Sequence, residues 1–271
     1  MIPAPVPRDR GVARSADGSR IAWYRYGGGA RVILFIPTWN IVDARVVGHQ
    51  VAALEPHATV ITYDPRGAGA SDRPHHGYGF TLHAADALAV LDAAGVEDAA
   101  LVTASRGINA AVIVATQDPQ RVARIAAVAP YMELDTVPHA LAGRDHPWST
   151  DWAGFVVRFM RAVFTEPESE QLMDEVIGIA MQASPEIMIT QEAELDWSVA
   201  AKLLPSVSCP TLLIHGDADA TTPLTLVRRI AGAMPRARLE LIADAGHRPD
   251  IRSPNIVNPL LLSFLLPPGP T

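Results

Sequence analysis

Apolar positions in this chain fall into two patterns. Residues 31–36, 59–63, 99–103, 124–129, 211–215 and 238–242 form short, largely apolar runs, the first stopped by Pro37 and the second by Asp64-Pro65-Arg66-Gly67. Such runs predict strands covered on both faces, as in a parallel sheet beneath helices. Between them the period changes. Over residues 83–94, Ala84, Leu88, Leu91 and Ala94 recur at steps of three and four, which predicts a helix, and a second helix is expected from about Arg106 to Thr116. Residues 20–26 alternate loosely and end in Gly27-Gly28-Gly29, an early strand closed by a turn. This rhythm of strand, helix, strand specifies an α/β class with a mostly parallel sheet flanked by helices.

The rhythm breaks between about Met132 and Pro205. Residues 155–164 and 170–181 carry helical spacing, Trp148, Trp152 and Trp197 fall in the same interval, and a strand resumes only afterwards. The simplest organisation is a core formed by residues 1–131 and 206–271, with residues 132–205 as a helical insertion over one edge of the sheet. Ligands of open α/β sheets bind beyond the carboxyl ends of the strands, so an insertion there is placed to act as a lid. The aromatic residues of the interval fit the interior of that insertion or an apolar pocket wall.

Composition narrows the functional classes. Of 271 residues, 49% are hydrophobic and 19% charged, which suits a folded globular chain, and a net charge of -7 offers no basic face for DNA or RNA. The one cysteine, Cys209, precedes an apolar run and reads as a small buried hydrophobe, consistent with a reducing cytoplasm. The first twenty residues are polar and proline-rich, without the apolar stretch of a signal peptide, and no run reaches the length of a membrane span. No metal is expected, because no His, Asp or Glu set has metal-ligand spacing such as H-E-x-x-H. No dinucleotide cofactor is expected either, because Gly67-Ala68-Gly69 lacks the third glycine of that fingerprint. The expected partner is a small-molecule substrate; self-association is left open.

The candidate chemistry centres on Val102-Thr103-Ala104-Ser105-Arg106-Gly107-Ile108, at the junction of a predicted strand and helix. Ser105 is either the cap of that helix or a nucleophile on a sharp strand-to-helix turn. Nucleophilic serine chemistry needs a base, an acid that orients the base, and donors for the developing oxyanion. Asp219 follows the run at 211–215, and His247 follows the run at 238–242, so all three groups lie at carboxyl ends of strands, in the order nucleophile, acid, histidine. Asp217 competes as the acid, though it can equally be a turn residue bonding its own backbone. His215 reads as a packed strand-end side chain, and His75 and His76 as loop residues.

Four segments together resemble the α/β-hydrolase superfamily: Asp64-Pro65-Arg66-Gly67-Ala68-Gly69-Ala70-Ser71, the Ser105 turn, Gly216-x-x-Asp219, and Gly246-His247. The resemblance runs from about Ile33 to Leu265. It implies that residues 132–205 form a cap shaping the pocket, and that the backbone NH groups of Trp39 and Arg106 bind the oxyanion. Two positions depart from the family pattern. Pro37-Thr38 stand where His-Gly is common, and Thr103 replaces the first glycine of the turn, where little room is left for a side chain. A serine at residue 105 argues against dehalogenase or epoxide-hydrolase chemistry, where the family uses aspartate. The resemblance therefore implies a serine hydrolase of a small to medium apolar ester or lactone, working through Ser105, His247 and Asp219. Carbon-carbon bond hydrolysis, acyl transfer and a non-catalytic ligand-binding member of the fold are the alternatives. The Arg106 side chain either packs along its helix or meets a substrate carboxylate.

Overall fold

The computed structural model describes residues 1–135 and 147–267; residues 136–146 of the expected insertion and 268–271 of the expected core lie outside the described residues. Eight strands, β1 (Asp9–Arg14), β2 (Arg20–Gly27), β3 (Val32–Phe35), β4 (Thr59–Tyr63), β5 (Ala99–Ala104), β6 (Val122–Val128), β7 (Thr211–Gly216) and β8 (Ala237–Ile242), form one sheet. Their spatial order is β1-β2-β4-β3-β5-β6-β7-β8. From β4 to β8 every pairing is parallel; β2 joins β4 antiparallel and β1 joins β2 antiparallel.

The apolar runs account for the centre of this sheet. All six residues of β5 are buried. Leu34, Ile61, Leu101, Ile125 and Leu213 face one side, under α2 (Phe80–Ala93) and α3 (Gly107–Gln117). Ile33, Val60, Val102, Leu212 and Ile214 face the other, under α1 (Gly48–Leu54) and the last helix, at Pro254–Leu265. β1 is not visible in the apolar pattern: four of its six residues are exposed, as an outermost strand with one paired edge permits.

Among the described residues, four α-helices lie between β6 and β7: α4 (Trp152–Val163), α5 (Glu170–Ala180), α6 (Pro185–Glu194) and α7 (Trp197–Leu203). Local capping sets three of their starts. Asp151 accepts the Gly154 amide at 2.9 Å, Ser184 the Ile187 amide at 3.3 Å, and Asp196 the Ser198 amide at 3.1 Å. α8 (Leu224–Ala233) separates β7 from β8, and α9 (Pro249–Arg252) and α10 (Pro254–Leu265) follow β8. Cys209 is half-buried rather than enclosed.

The loop after β4 is fastened by Arg66, whose side chain is fully buried. Its guanidinium donates to both Asp86 carboxylate oxygens, at 2.7 and 2.6 Å, to Asp17 at 2.7 Å and to the Gly77 carbonyl at 2.6 Å. This two-carboxylate arrangement joins the β1–β2 turn, the loop after β4 and α2.

Candidate functional site

Because the central strands run parallel, the loops after β3, β5, β7 and β8 emerge at one rim of the sheet, and each carries one or more of the candidate residues. Ser105 directly follows β5 and has φ of 50°, in the left-handed region that side chains other than glycine rarely adopt. The surroundings hold it there. Its amide donates to the Val128 carbonyl at 2.8 Å, and its carbonyl accepts the Tyr131 amide at 3.1 Å. Asn109 bonds the carbonyls of Arg106 and Tyr131 at 2.8 and 3.0 Å. Strain of about 1–3 kcal/mol, over-determined by such contacts, is a mark of functional turns. Arg106, not Ser105, holds the N-cap position of α3, and no side chain caps that helix.

Thr103 fits this turn by an exchange of space with Gly107. Its hydroxyl donates to the Ile36 carbonyl at 3.0 Å. It occupies ground that a residue 107 side chain would need: a Cβ on Gly107 would lie 1.9 Å from Thr103 Oγ1 and 2.6 Å from the Pro37 carbonyl oxygen. The departure at residue 103 thus ties the turn to the loop that carries Trp39.

Asp219 and His247 meet. Asp219 Oδ2 lies 2.8 Å from His247 Nδ1, while Asp219 Oδ1 accepts the Thr221 and Thr222 amides at 2.7 and 2.9 Å. Burial alone would raise the Asp219 carboxyl; the bonds from His247 and the two amides outweigh it and hold the group below the ordinary carboxylate range. An ionised carboxylate only accepts hydrogen bonds, so His247 carries its proton on Nδ1 and leaves Nε2 as the basic nitrogen. Asp217 is occupied elsewhere, accepting the Asp244 amide at 2.7 Å. His215 is wholly buried, with Nδ1 3.7 Å from Asp219 Oδ2, and burial lowers its pKa against the pull of that carboxylate.

The loops of the acid and the base rest on the end of α4. The His247 amide donates to the Val163 carbonyl at 3.2 Å, the Thr221 hydroxyl to the Ala162 carbonyl at 3.3 Å, and the Gly246 amide to Glu166 Oε1 at 2.7 Å. The first two of these bonds satisfy carbonyls that a helix C-terminus leaves without intrahelical partners, and the third fixes the loop to the carboxylate just beyond the helix. The two loops also approach each other closely, since a Cβ on Gly216 would lie 2.1 Å from the Ala245 carbonyl oxygen.

Ser105, His247 and Trp39 line one small cavity of about 40 Å³, walled by Phe159, Met160 and Val163 of α4. Trp39 also stands in an aromatic group, with ring centroids 5.3 Å from Phe159 and 5.8 Å from Trp148. The aromatic residues between β6 and β7 therefore divide: Phe159 faces the cavity, while Trp197 packs on Phe80 of α2 and on Tyr131 after β6. The Arg106 side chain forms an ion pair with Glu192 on α6.

Pattern reading missed Glu166, Glu192, Thr221 and Thr222. The last two had a local signal, since an aspartate followed by threonines is a turn in which the side chain bonds the backbone two and three residues on. The two glutamates act through partners about eighty residues away and leave no mark in local spacing. Among the described residues, no group of three or more His, Cys, Asp or Glu is arranged to hold a metal, and no helix is long and apolar enough to cross a membrane.

The chain is similar to known proteins along most of its length. A Bacillus subtilis protein described as AB hydrolase superfamily protein YisY is 23% identical over 248 residues, covering 88% of this chain and 92% of its own. The structure of Est816, described as an N-acyl homoserine lactone degrading enzyme, superimposes with a TM-score of 0.82 at 26% identity, covering 94% of this chain and 100% of that one. A bromoperoxidase from Bacillus anthracis matches with a TM-score of 0.81 at 24% identity, over 95% of this chain and 99% of that one. The sequence profile of the alpha/beta hydrolase family matches residues 33–258. The chain belongs to the α/β-hydrolase family.

Proposed function

We infer that the protein is a serine hydrolase of small apolar esters or lactones, with Ser105 as nucleophile, His247 as general base and Asp219 as the acid that orients it. The 2.8 Å bond between Asp219 and His247, beside a cavity shared by His247 and the strained Ser105, is the observation that carries this reading. His247 Nε2 takes the Ser105 proton as Oγ attacks the carbonyl carbon, and the imidazolium is stabilised by Asp219. The amides of Trp39 and Arg106 receive the oxyanion; one such donor contributes about 3 kcal/mol in comparable sites. His247 returns the proton to the leaving alcohol, then activates the water that releases the acid.

Substrate size follows from the cavity. Its volume of about 40 Å³ and its Phe159, Met160 and Val163 walls suit a short apolar acyl group better than a long or charged one. The helices α4 to α7 serve as the lid, because α4 supplies those walls. The lactone-degrading activity in the description of Est816 is consistent with this substrate class.

A fluorophosphonate probe followed by peptide mapping tests the nucleophile, with p-nitrophenyl esters as substrates. Adduct on Ser105, and a fall of roughly 10⁶ in kcat for Ser105→Ala, are the expected results. Unlabelled Ser105 together with normal turnover in that variant would overturn the reading. Product ratios with and without a competing alcohol separate hydrolysis from acyl transfer.

A further inference from the structure

We propose that Glu192 is a positioning residue for the oxyanion hole; this rests on the serine hydrolase reading above. Glu192 lies on α6, is only 4% exposed, and is paired with the Arg106 guanidinium. That guanidinium sits between two indoles, its central carbon 4.2 Å from the Trp39 ring centroid and 5.1 Å from that of Trp197. The two residues assigned as oxyanion donors are therefore stacked on one another through their side chains, and Glu192 holds the Arg106 member of the stack.

The neighbouring residue reinforces the grip. Gln191 donates to Asn40 Oδ1 at 2.8 Å, and Asn40 in turn donates to the Arg66 carbonyl. Consecutive residues of α6 thus grasp consecutive residues of the loop after β3: Gln191 takes Asn40 directly, and Glu192 takes Trp39 by way of Arg106. A guanidinium over an aromatic face is attracted by the ring quadrupole, and the attraction is largest when the charge is withdrawn from water. The Arg106 side chain is mostly enclosed, 19% exposed, and is held there by its counter-charge, so loss of the Glu192 charge would send it toward solvent and release Trp39. Loss of one oxyanion donor costs 10²–10³ in kcat in comparable enzymes, and a displaced donor costs part of that. The physical claim concerns transition-state contacts, so the loss belongs in kcat rather than in KM.

The full-length protein carrying Glu192→Gln, which preserves shape and removes charge, is compared with Glu192→Asp on p-nitrophenyl acetate. Expected are a fall of about 10–100-fold in kcat for Glu192→Gln with KM within about twofold, recovery of about half of that loss on a logarithmic scale in Glu192→Asp, and a parallel slowing of fluorophosphonate labelling. Normal kcat in Glu192→Gln, or a change confined to KM, would overturn the proposal. If Glu192→Gln does not melt cooperatively, Glu192→Asp alone decides it: a fall in kcat at constant KM supports the role, and an unchanged kcat removes it. Failure of the triad reading is distinguishable, because it appears in Ser105→Ala and in the absence of Ser105 labelling whatever residue 192 is.

Discussion

Thr103 and Gly107 are sterically complementary: the threonine hydroxyl occupies the site where a β-carbon on residue 107 would stand, 1.9 Å away, while it donates to the Ile36 carbonyl. Gly107→Ala is expected to destabilise the fold by about 1–3 kcal/mol and to slow labelling of Ser105. The second obstacle, the Pro37 carbonyl at 2.6 Å, is backbone, so removing the hydroxyl in a Thr103→Ala/Gly107→Ala double variant should restore only part of the loss. Thermal melting of the two variants beside the parent measures this; a Gly107→Ala protein as stable and reactive as the parent would contradict the packing.

Asp217 and Asp219 are separated by one residue yet have different partners. Asp219→Asn is expected to lower kcat by roughly 10⁴, because the amide no longer fixes the imidazole tautomer. Asp217→Asn, at a side chain that accepts the Asp244 amide and not His247, should stay within a few-fold of the parent. Steady-state kinetics of the pair decides the assignment, and equal losses would refute it.

The sheet centre and the order of its loops were legible because buried parallel strands write themselves as apolar runs, and the signals at Ser105, Asp219 and His247 each sit at the end of one. β1 was not legible, since its exposed residues carry no apolar signature and only pairing with β2 makes them a strand. The plain helix-cap alternative for Ser105 could not be settled from local residues; it depends on a backbone angle that Val128 and Tyr131 impose from outside the turn. Contacts between α6 and the Trp39 loop depend on tertiary pairing of charges far apart in the chain and could not be read from periodicity at all.

The Arg66 cluster should be intolerant of losing a carboxylate. Asp86→Ala leaves a fully buried guanidinium with Asp17 as its remaining acidic partner and is expected to cost about 3–5 kcal/mol, measured by urea unfolding. A cost below about 1 kcal/mol would mean that Asp17 alone satisfies the cation.

Acid sensitivity should be traceable to His83. Burial lowers its pKa to about 4 from 6.5, and among the described residues its Nε2 has no hydrogen-bond partner. The unfolded chain therefore takes up a proton first as pH falls. Stability is full above pH 6.5, erodes between 6.5 and about 4, and changes no further from this group below that. His83→Gln should lose less stability than the parent between pH 7.5 and 5, by at most about 2 kcal/mol at 1.36 kcal/mol per unit. Parallel stability curves for the two proteins would sink the attribution.

Phe159 should govern acyl length. Phe159→Ala enlarges the cavity beside Ser105, and the kcat/KM ratio of p-nitrophenyl octanoate to acetate is expected to rise at least tenfold, within the range that a few methylenes command in apolar pockets. An unchanged ratio would place the acyl group elsewhere.

The His247 amide is bonded to the Val163 carbonyl at the end of α4 and not to the sheet. Its exchange with deuterium should therefore report detachment of that helix rather than global unfolding, and proceed faster than exchange at the Leu101 and Val102 amides of the central strand. The same attachment means that a substrate large enough to pry α4 away would disarm the base in the act of entering, so molecular bulk is rejected through reactivity as well as through fit.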